Sequence, residues 1–323
     1  MSRRTRRTLL IVAAILGLLV VAVFLRSKAP PEAARLLPES DGIVYFNLKP
    51  MRTLFHKELK PPERVPEYQQ FVDATGIDWE RDLDQAAIAL HRMPDPNGPN
   101  GPVAYSMVLV GKLGGARLNE WMAAHAAGRE SFAGRTIYSI PSEGRTVRVA
   151  QIGYDMLAVS NTPTAEQIHS IIERHRTAAW PFANSSLLEQ HYKDVPLLSL
   201  AWGVGQIGLP FSESGSISVL GFRLPLEPDS TIIASLRWTG SLHLRVEEIA
   251  PSAEAARQQA AALSTLVMLA RGFAAPLGSN AANNSLRELL ENAQVSQQRD
   301  RVMVTAALPV GFISGLTQND AGK

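Results

Sequence analysis

A chain of 323 residues that is 46% hydrophobic and 19% charged has enough apolar mass to bury one large core or two ordinary ones. Its 32 Lys and Arg nearly balance its 30 Asp and Glu, and several of the arginines crowd the N-terminus, so the body lacks the concentrated basic face that nucleic acid requires. With no cysteine, disulfides, thiolate catalysis and Cys-bound zinc are excluded.

Leu9 to Leu25 is an uncharged run of Leu, Ile, Val, Ala and Phe broken only by Gly17. At about 1.5 Å per residue a helix of this length covers about 25 Å, a little less than the roughly 30 Å hydrocarbon core, with Arg7 and Arg26 placed to snorkel. The run predicts a single transmembrane helix whose partner is the lipid bilayer. Arg3, Arg4, Arg6 and Arg7 precede it, against Arg26, Lys28 and Arg35 beyond. By the positive-inside rule the N-terminus stays cytoplasmic and the C-terminal body is periplasmic, on a single-pass protein of the inner membrane. A cleaved secretory signal is the rival reading, but the run exceeds the usual signal core and leads into Arg26-Ser27-Lys28 instead of an A-x-A-like site.

After a stub at 1–8, the span at 9–25 and a Pro30-Pro31 linker at 26–37, the patterning predicts an α+β body of two related tandem repeats with mainly antiparallel sheets. The repeats occupy 38–178 and 196–316, with a connector at 179–195 and a tail at 317–323. In the first, Ile43 to Leu48 reads as a strand ended by Pro50, and Val65 to Thr75 as a helix stopped by Gly76. Ala86 to Leu90 and Val103 to Val110 read as strands around a Pro/Asn/Gly loop. A helix over Ala116 to Ala126 carries Leu118, Trp121, Met122 and His125 at i, i+3, i+4, i+7. Strands follow at Thr136 to Ile140, Thr146 to Ile152 and Met156 to Ser160, then a helix with Thr162 as N-cap and Pro163 in its first turn.

In the second, Pro196 to Trp202, Thr231 to Trp238 and Ser241 to Glu248 read as strands, and Ser252 caps a helix reaching about Arg271. Ser285 with Glu288 forms a capping box for one more helix, and Arg301 to Ala306 matches Asp155 to Ser160. Gly272 to Asn284 reads as a Gly, Ala and Asn-rich excursion.

No motif assigns chemistry. Gly203-Val204-Gly205-Gln206-Ile207-Gly208 fits G-x-G-x-x-G with Glu227 beyond it, but Leu209-Pro210-Phe211 cannot open the helix that would hold a pyrophosphate, so the glycines read as a strand end and turn. The acidic run Asp73, Asp78, Glu80, Asp82 and Asp84 lacks the central Gly of a calcium loop, and Asp95, Asn97 and Asn100 fail the same pattern. Asp78 reads as a helix cap. His169 and His175 are six residues apart on a helix and face different ways, while His125 and His175 each finish an apolar stripe. The sequence therefore assigns no catalytic, cofactor-binding or metal-ligating residue.

The basic stub, the single apolar run, Leu36-Leu37-Pro38-Glu39-Ser40-Asp41-Gly42-Ile43-Val44-Tyr45-Phe46 and Gly76-Ile77-Asp78-Trp79-Glu80-Arg81-Asp82-Leu83 together resemble anchored bacterial envelope proteins, in particular domain-of-unknown-function family 3352. That resemblance implies location and architecture and brings no site residues. The expected function is a binding or assembly module at the envelope, with an envelope protein or an apolar ligand as partner. One alternative is an envelope-polymer hydrolase, which requires paired acids or a Ser and His in hydrogen-bond reach. Another is a carrier of an apolar ligand, suggested by Leu263, Leu266, Val267, Met268 and Leu269 spreading around one helix.

Overall fold

Alternating apolar residues along the strands build two unlike faces on one sheet. The computed structural model describes residues 29–55, 64–177, 185–206, 216–219, 222–225, 230–274 and 281–308. The chain divides at Pro31, and every described element lies in the unit Glu32–Lys323. In the first half α1 (Glu32–Arg35), β1 (Gly42–Asn47) and α2 (Leu48–Phe55) lead to α3 (Pro66–Thr75), α4 (Trp79–Asp82), β2 (Leu83–Arg92) and β3 (Val103–Gly111). Then come α5 (Ala116–His125), β4 (Gly128–Phe132), β5 (Arg135–Ser142), β6 (Arg145–Gln151), β7 (Met156–Ser160) and α6 (Glu166–Thr177). In the second half α7 (Ser186–His191) and a 3-10 turn (Tyr192–Asp194) precede β8 (Ser199–Gln206), β9 (Ser216–Val219), β10 (Phe222–Pro225), β11 (Thr231–Trp238) and β12 (Leu242–Ile249). The described elements end with α8 (Ala253–Ala274), α9 (Ala281–Asn292), β13 (Gln294–Gln298) and β14 (Arg301–Leu308).

Twelve strands form one sheet in the order β13-β14-β12-β11-β8-β1-β2-β3-β7-β6-β5-β4, and β9 pairs with β10 apart from it. The halves meet where β1 runs antiparallel to β8, with Tyr45 opposite Trp202 and Ile43 opposite Val204. On that face Tyr45 stacks on Trp202 at 5.5 Å and Tyr192 meets the same indole edge-on at 5.4 Å. Ala33 and Ala34 of α1, Ile168, Ile171 and Ile172 of α6, and Leu187 and Leu188 of α7 close over Ile43, Ala87, Val108, Ala158 and Ile137 in one core cluster. The opposite face is covered at its ends. Leu118 and Met122 of α5 with Ile77 pack on Leu157, and Phe55 of α2 with Leu289 of α9 packs on Leu242, Ala306 and Leu308. Between them Val44, Phe46, Ile88, Leu90, Tyr105 and Met107 are half-buried.

The expected fold class is corrected on two counts. Among the described residues no helix is long and apolar enough to cross a membrane; α8 has the length, but Arg257, Gln258, Gln259 and Arg271 lower its hydropathy. The expected transmembrane helix at Leu9 to Leu25 lies outside the described residues. The repeats also do not carry sheets of their own. Two separate sheets would leave β1 and β8 with an unpaired edge each, and pairing them satisfies both ladders.

Local differences have local causes. Residues 32–37, read as linker, are core: Ala33, Ala34, Leu36 and Leu37 are at most 2% exposed, and each leucine contributes about 1.5–3 kcal/mol by burial. Pro50 does not end a strand but sits in the first turn of α2, where a missing N–H costs nothing. Gly76 takes φ +74° and its N–H donates to Val72 O at 2.7 Å, the predicted stop of α3. Thr162 does not cap α6, which begins at Glu166, and Ser285 lies inside α9 because the preceding Ala281 to Asn284 already continues the helix. The 179–195 connector holds α7, and β4 and β13 have no counterpart in the sequence reading.

Candidate functional site

A Ser and a His in hydrogen-bond reach are present. His91 of β2 and Ser106 of β3 lie on neighbouring strands, and His91 Nε2 is 3.0 Å from Ser106 Oγ. Ser106 Oγ is 3.2 Å from Ser160 Oγ, which is 2.8 Å from Thr162 Oγ1, and that hydroxyl donates to Thr164 O at 3.0 Å. Burial pushes the His91 pKa down, with the Asp41 carboxylate working against it, so the imidazole is held neutral. A serine nucleophile must meet its substrate, however, and Ser106 and Ser160 are 0% exposed. The chain of hydroxyls satisfies polar groups sealed between β2, β3 and β7, and its chemistry is that of a core network.

The acidic run is likewise occupied by its own surroundings. Asp78 caps α4 and accepts from Glu80 N (3.1 Å), Tyr68 OH (3.1 Å) and Arg64 (2.7 Å). Burial works to raise its pKa, but the Tyr68 hydroxyl and Arg64 outweigh it and the net shift is downward. Asp82 accepts from Asp78 N at 2.9 Å and from Arg81, whose hydrogen bonds lead in lowering its pKa. Arg52 holds Asp84 at 2.6 Å. Asn100 is buried and donates to Asn161 O, and Asn97 N closes a turn on Asp95 Oδ1 at 3.0 Å. Among the described residues no three His, Asp or Glu side chains could share a metal ion.

The histidines are placed by aromatic neighbours. His125 stacks on Trp121 at 4.2 Å, and His169 stacks on Phe132 at 3.9 Å with Nε2 2.7 Å from Glu130. His175 is half-buried, and burial followed by the Arg135 charge lowers its pKa. Gly203 and Gly205 stand inside β8 opposite Val44 and Gly42, while Gly208 and Glu227 lie outside the described residues. On α8, Leu263 and Ala270 are buried, whereas Met268, Leu269 and Phe273 are 50–67% exposed, so that side of the helix faces outward.

What the fold does assemble is an open polar cleft of about 440 Å³ where α5 meets β5 and β6. Asn119 comes from α5, Arg135, Thr136 and Tyr138 from β5, and Gln151, Gly153 and Tyr154 from the end of β6 and the turn beyond it. Two pieces of backbone chemistry put them there. Phe132 pairs with Arg135 across a two-residue hairpin loop, and Ala133 and Gly134 both take positive φ (48° and 77°), the twist a tight antiparallel hairpin requires. At Gly114 a Cβ would stand 2.2 Å from Tyr154 O, so glycine lets the start of α5 close against the wall that carries Tyr154.

Among the described residues the lining is neutral and hydrogen-bonding apart from one cation. Asn119 Nδ2 donates to Gln151 Oε1 at 3.0 Å, which orients both amides and leaves the Asn119 oxygen and the Gln151 amide hydrogens without partners among the described residues. Arg135 is exposed and makes no ion pair among the described residues, and Tyr154 is 90% exposed. The Arg129 guanidinium lies 5.7 Å over the Tyr138 ring. None of these groups is a nucleophile paired with a base. Sequence reasoning passed them over because the signals were weak: Ala-Gly is a poorer hairpin dipeptide than Asn-Gly, and Gly128-Arg129-Glu130-Ser131-Phe132 has no β-branched residue to mark β4.

No family model matches the chain, and neither does any curated protein. Among solved structures, crystal form III of TP0453 is similar at 10% identity and a TM-score of 0.46, covering 90% of this chain and 99% of that one. Crystal form IV gives 11% identity, a TM-score of 0.45, and coverage of 92% and 99%; form I gives 9%, 0.42, and 91% and 98%. Likeness at this level carries no inference about chemistry.

Proposed function

We propose that the protein is a non-catalytic binding module of the bacterial envelope, on the periplasmic side of the inner membrane, and that its ligand occupies the polar cleft between α5 and β5–β6. The observation that supports this most is the cleft's lining: oriented amides, hydroxyls and a guanidinium without a partner, a set that recognises and does not cut. The periplasmic address is supported by the excess of arginines before Leu9 over basic residues after Leu25. The hydrolase reading loses its best constellation, because the Ser106–His91 pair is sealed. The carrier reading keeps one supporting feature, the half-buried apolar strip of Val44, Ile88, Leu90 and Met107 on the sheet.

The test is retention of the full chain on sedimented envelope fragments. Asn119→Leu with Thr136→Trp fills the cleft and should abolish retention, while Ser106→Ala should leave it unchanged. Loss of retention in Ser106→Ala, together with release of soluble fragments by the unaltered chain, would show a hydrolase instead.

A further inference from the structure

Building on the cleft as the binding site, we propose that it takes a saccharide bearing a carboxylate, with Arg135 holding the acid group and the Asn119–Gln151 amides facing the hydroxyls. A planar amide offers a donor and an acceptor side by side, which is what adjacent sugar hydroxyls present. Here the two amides are locked to each other at 3.0 Å, so their remaining valences point from a fixed frame and lose little entropy on binding. Tyr154, 90% exposed, presents a ring face on which the apolar C–H side of a sugar can lie. Among the described residues no aliphatic side chain lines the cleft, so an apolar ligand would strand these amides without hydrogen bonds.

The charge of the ligand follows from the lining. Among the described residues Arg135 is its one charged side chain, and a guanidinium pairs with a carboxylate through two parallel hydrogen bonds. Carboxylates already stand near the wall: Asp155 Oδ1 lies 3.6 Å from where a Cβ on Gly153 would be, at the same distance as His175 Nε2, and Asp155 and Glu32 both act on that imidazole. That placement favours a single acid group over a polyanion.

The experiment is calorimetric titration of the full chain with cellobiouronic acid, a disaccharide with one carboxylate, and with neutral cellobiose. The acid is expected to bind at least tenfold more tightly. Arg135→Gln should bring it down to the affinity of cellobiose, and Asn119→Leu or Tyr154→Ala should weaken both sugars about tenfold. Equal affinity of the two sugars for the unaltered chain overturns the carboxylate assignment. If neither sugar binds at millimolar concentration, the saccharide assignment is wrong. Should retention on envelope fragments nevertheless depend on the cleft, the binding reading stands and only its ligand class has failed.

Discussion

Replacing Trp202 by Ala tests whether the β1–β8 junction makes one cooperative sheet. Trp202 is 3% exposed, stacks on Tyr45 at 5.5 Å and is met edge-on by Tyr192 at 5.4 Å. Removing a buried aromatic costs about 3–5 kcal/mol, and two aromatic pairs worth about 0.5–1.5 kcal/mol each place this one at the upper end. Against a total stability of about 5–15 kcal/mol, that is a third or more of the whole. Trp202 belongs to the second half of the chain, yet its ring packs in the cluster that also holds Ile43, Ala87 and Val108 of the first. Hydrogen exchange should therefore show protection falling by the same free energy in β2 and β3 as in β11 and β12, with one urea transition of unchanged slope. Full protection of β2 and β3 beside a weakened β11 would refute the single sheet and restore two independent halves.

Three further outcomes follow from the buried chemistry and from the turns. His91 has a lowered pKa in the fold, so the unfolded chain takes up protons first: stability should decline as pH falls through about 6.5 and level off below the folded value. His91→Gln should flatten that slope in urea midpoints without abolishing it, since burial lowers His175 and His191 in the same way; an unaltered slope would contradict the assignment. A fluorophosphonate probe should leave Ser106 unlabelled in the native chain, and labelling there would overturn the sealed reading of the Ser–His pair. Gly111→Ala drives a Cβ to 2.0 Å from the Asp82 carbonyl oxygen and should cost about 2–3 kcal/mol in chemical denaturation, whereas Gly134→Ala, with open space but φ of +77°, should cost about 1 kcal/mol. Equal losses would mean that contact and not conformation governs both sites, or the reverse.

The sequence made the α+β character and most strands legible because alternation is a local property: Val147, Val149 and the run around Ile233 announce their pleat without knowing their neighbours. Which strands share a sheet is non-local, and nothing in residues 43–48 or 199–206 encodes that they pair with each other. The same holds for residues 32–37, whose leucines look like any linker's until α6 and α7 close over them. The capping reading of Asp78 was legible because it depends on two residues' separation, Asp78 to Glu80. The cleft was not, since Asn119, Arg135 and Gln151 are ordinary polar residues far apart in the chain, and only the meeting of α5 with β5 and β6 makes them one surface. The Ser–His pair shows the converse. Hydrogen-bond reach identifies a candidate nucleophile, and burial then removes it.

The most direct test is photo-crosslinking in living cells from a benzoyl-phenylalanine in place of Tyr154, whose exposed ring lines the cleft, against one at Glu143, on the exposed β5–β6 turn. A light-dependent adduct from position 154 that disappears with Asn119→Leu, with none from Glu143, is the predicted result. Adducts of equal yield from both positions, or an adduct at position 154 indifferent to Asn119, would contradict a ligand held in the cleft.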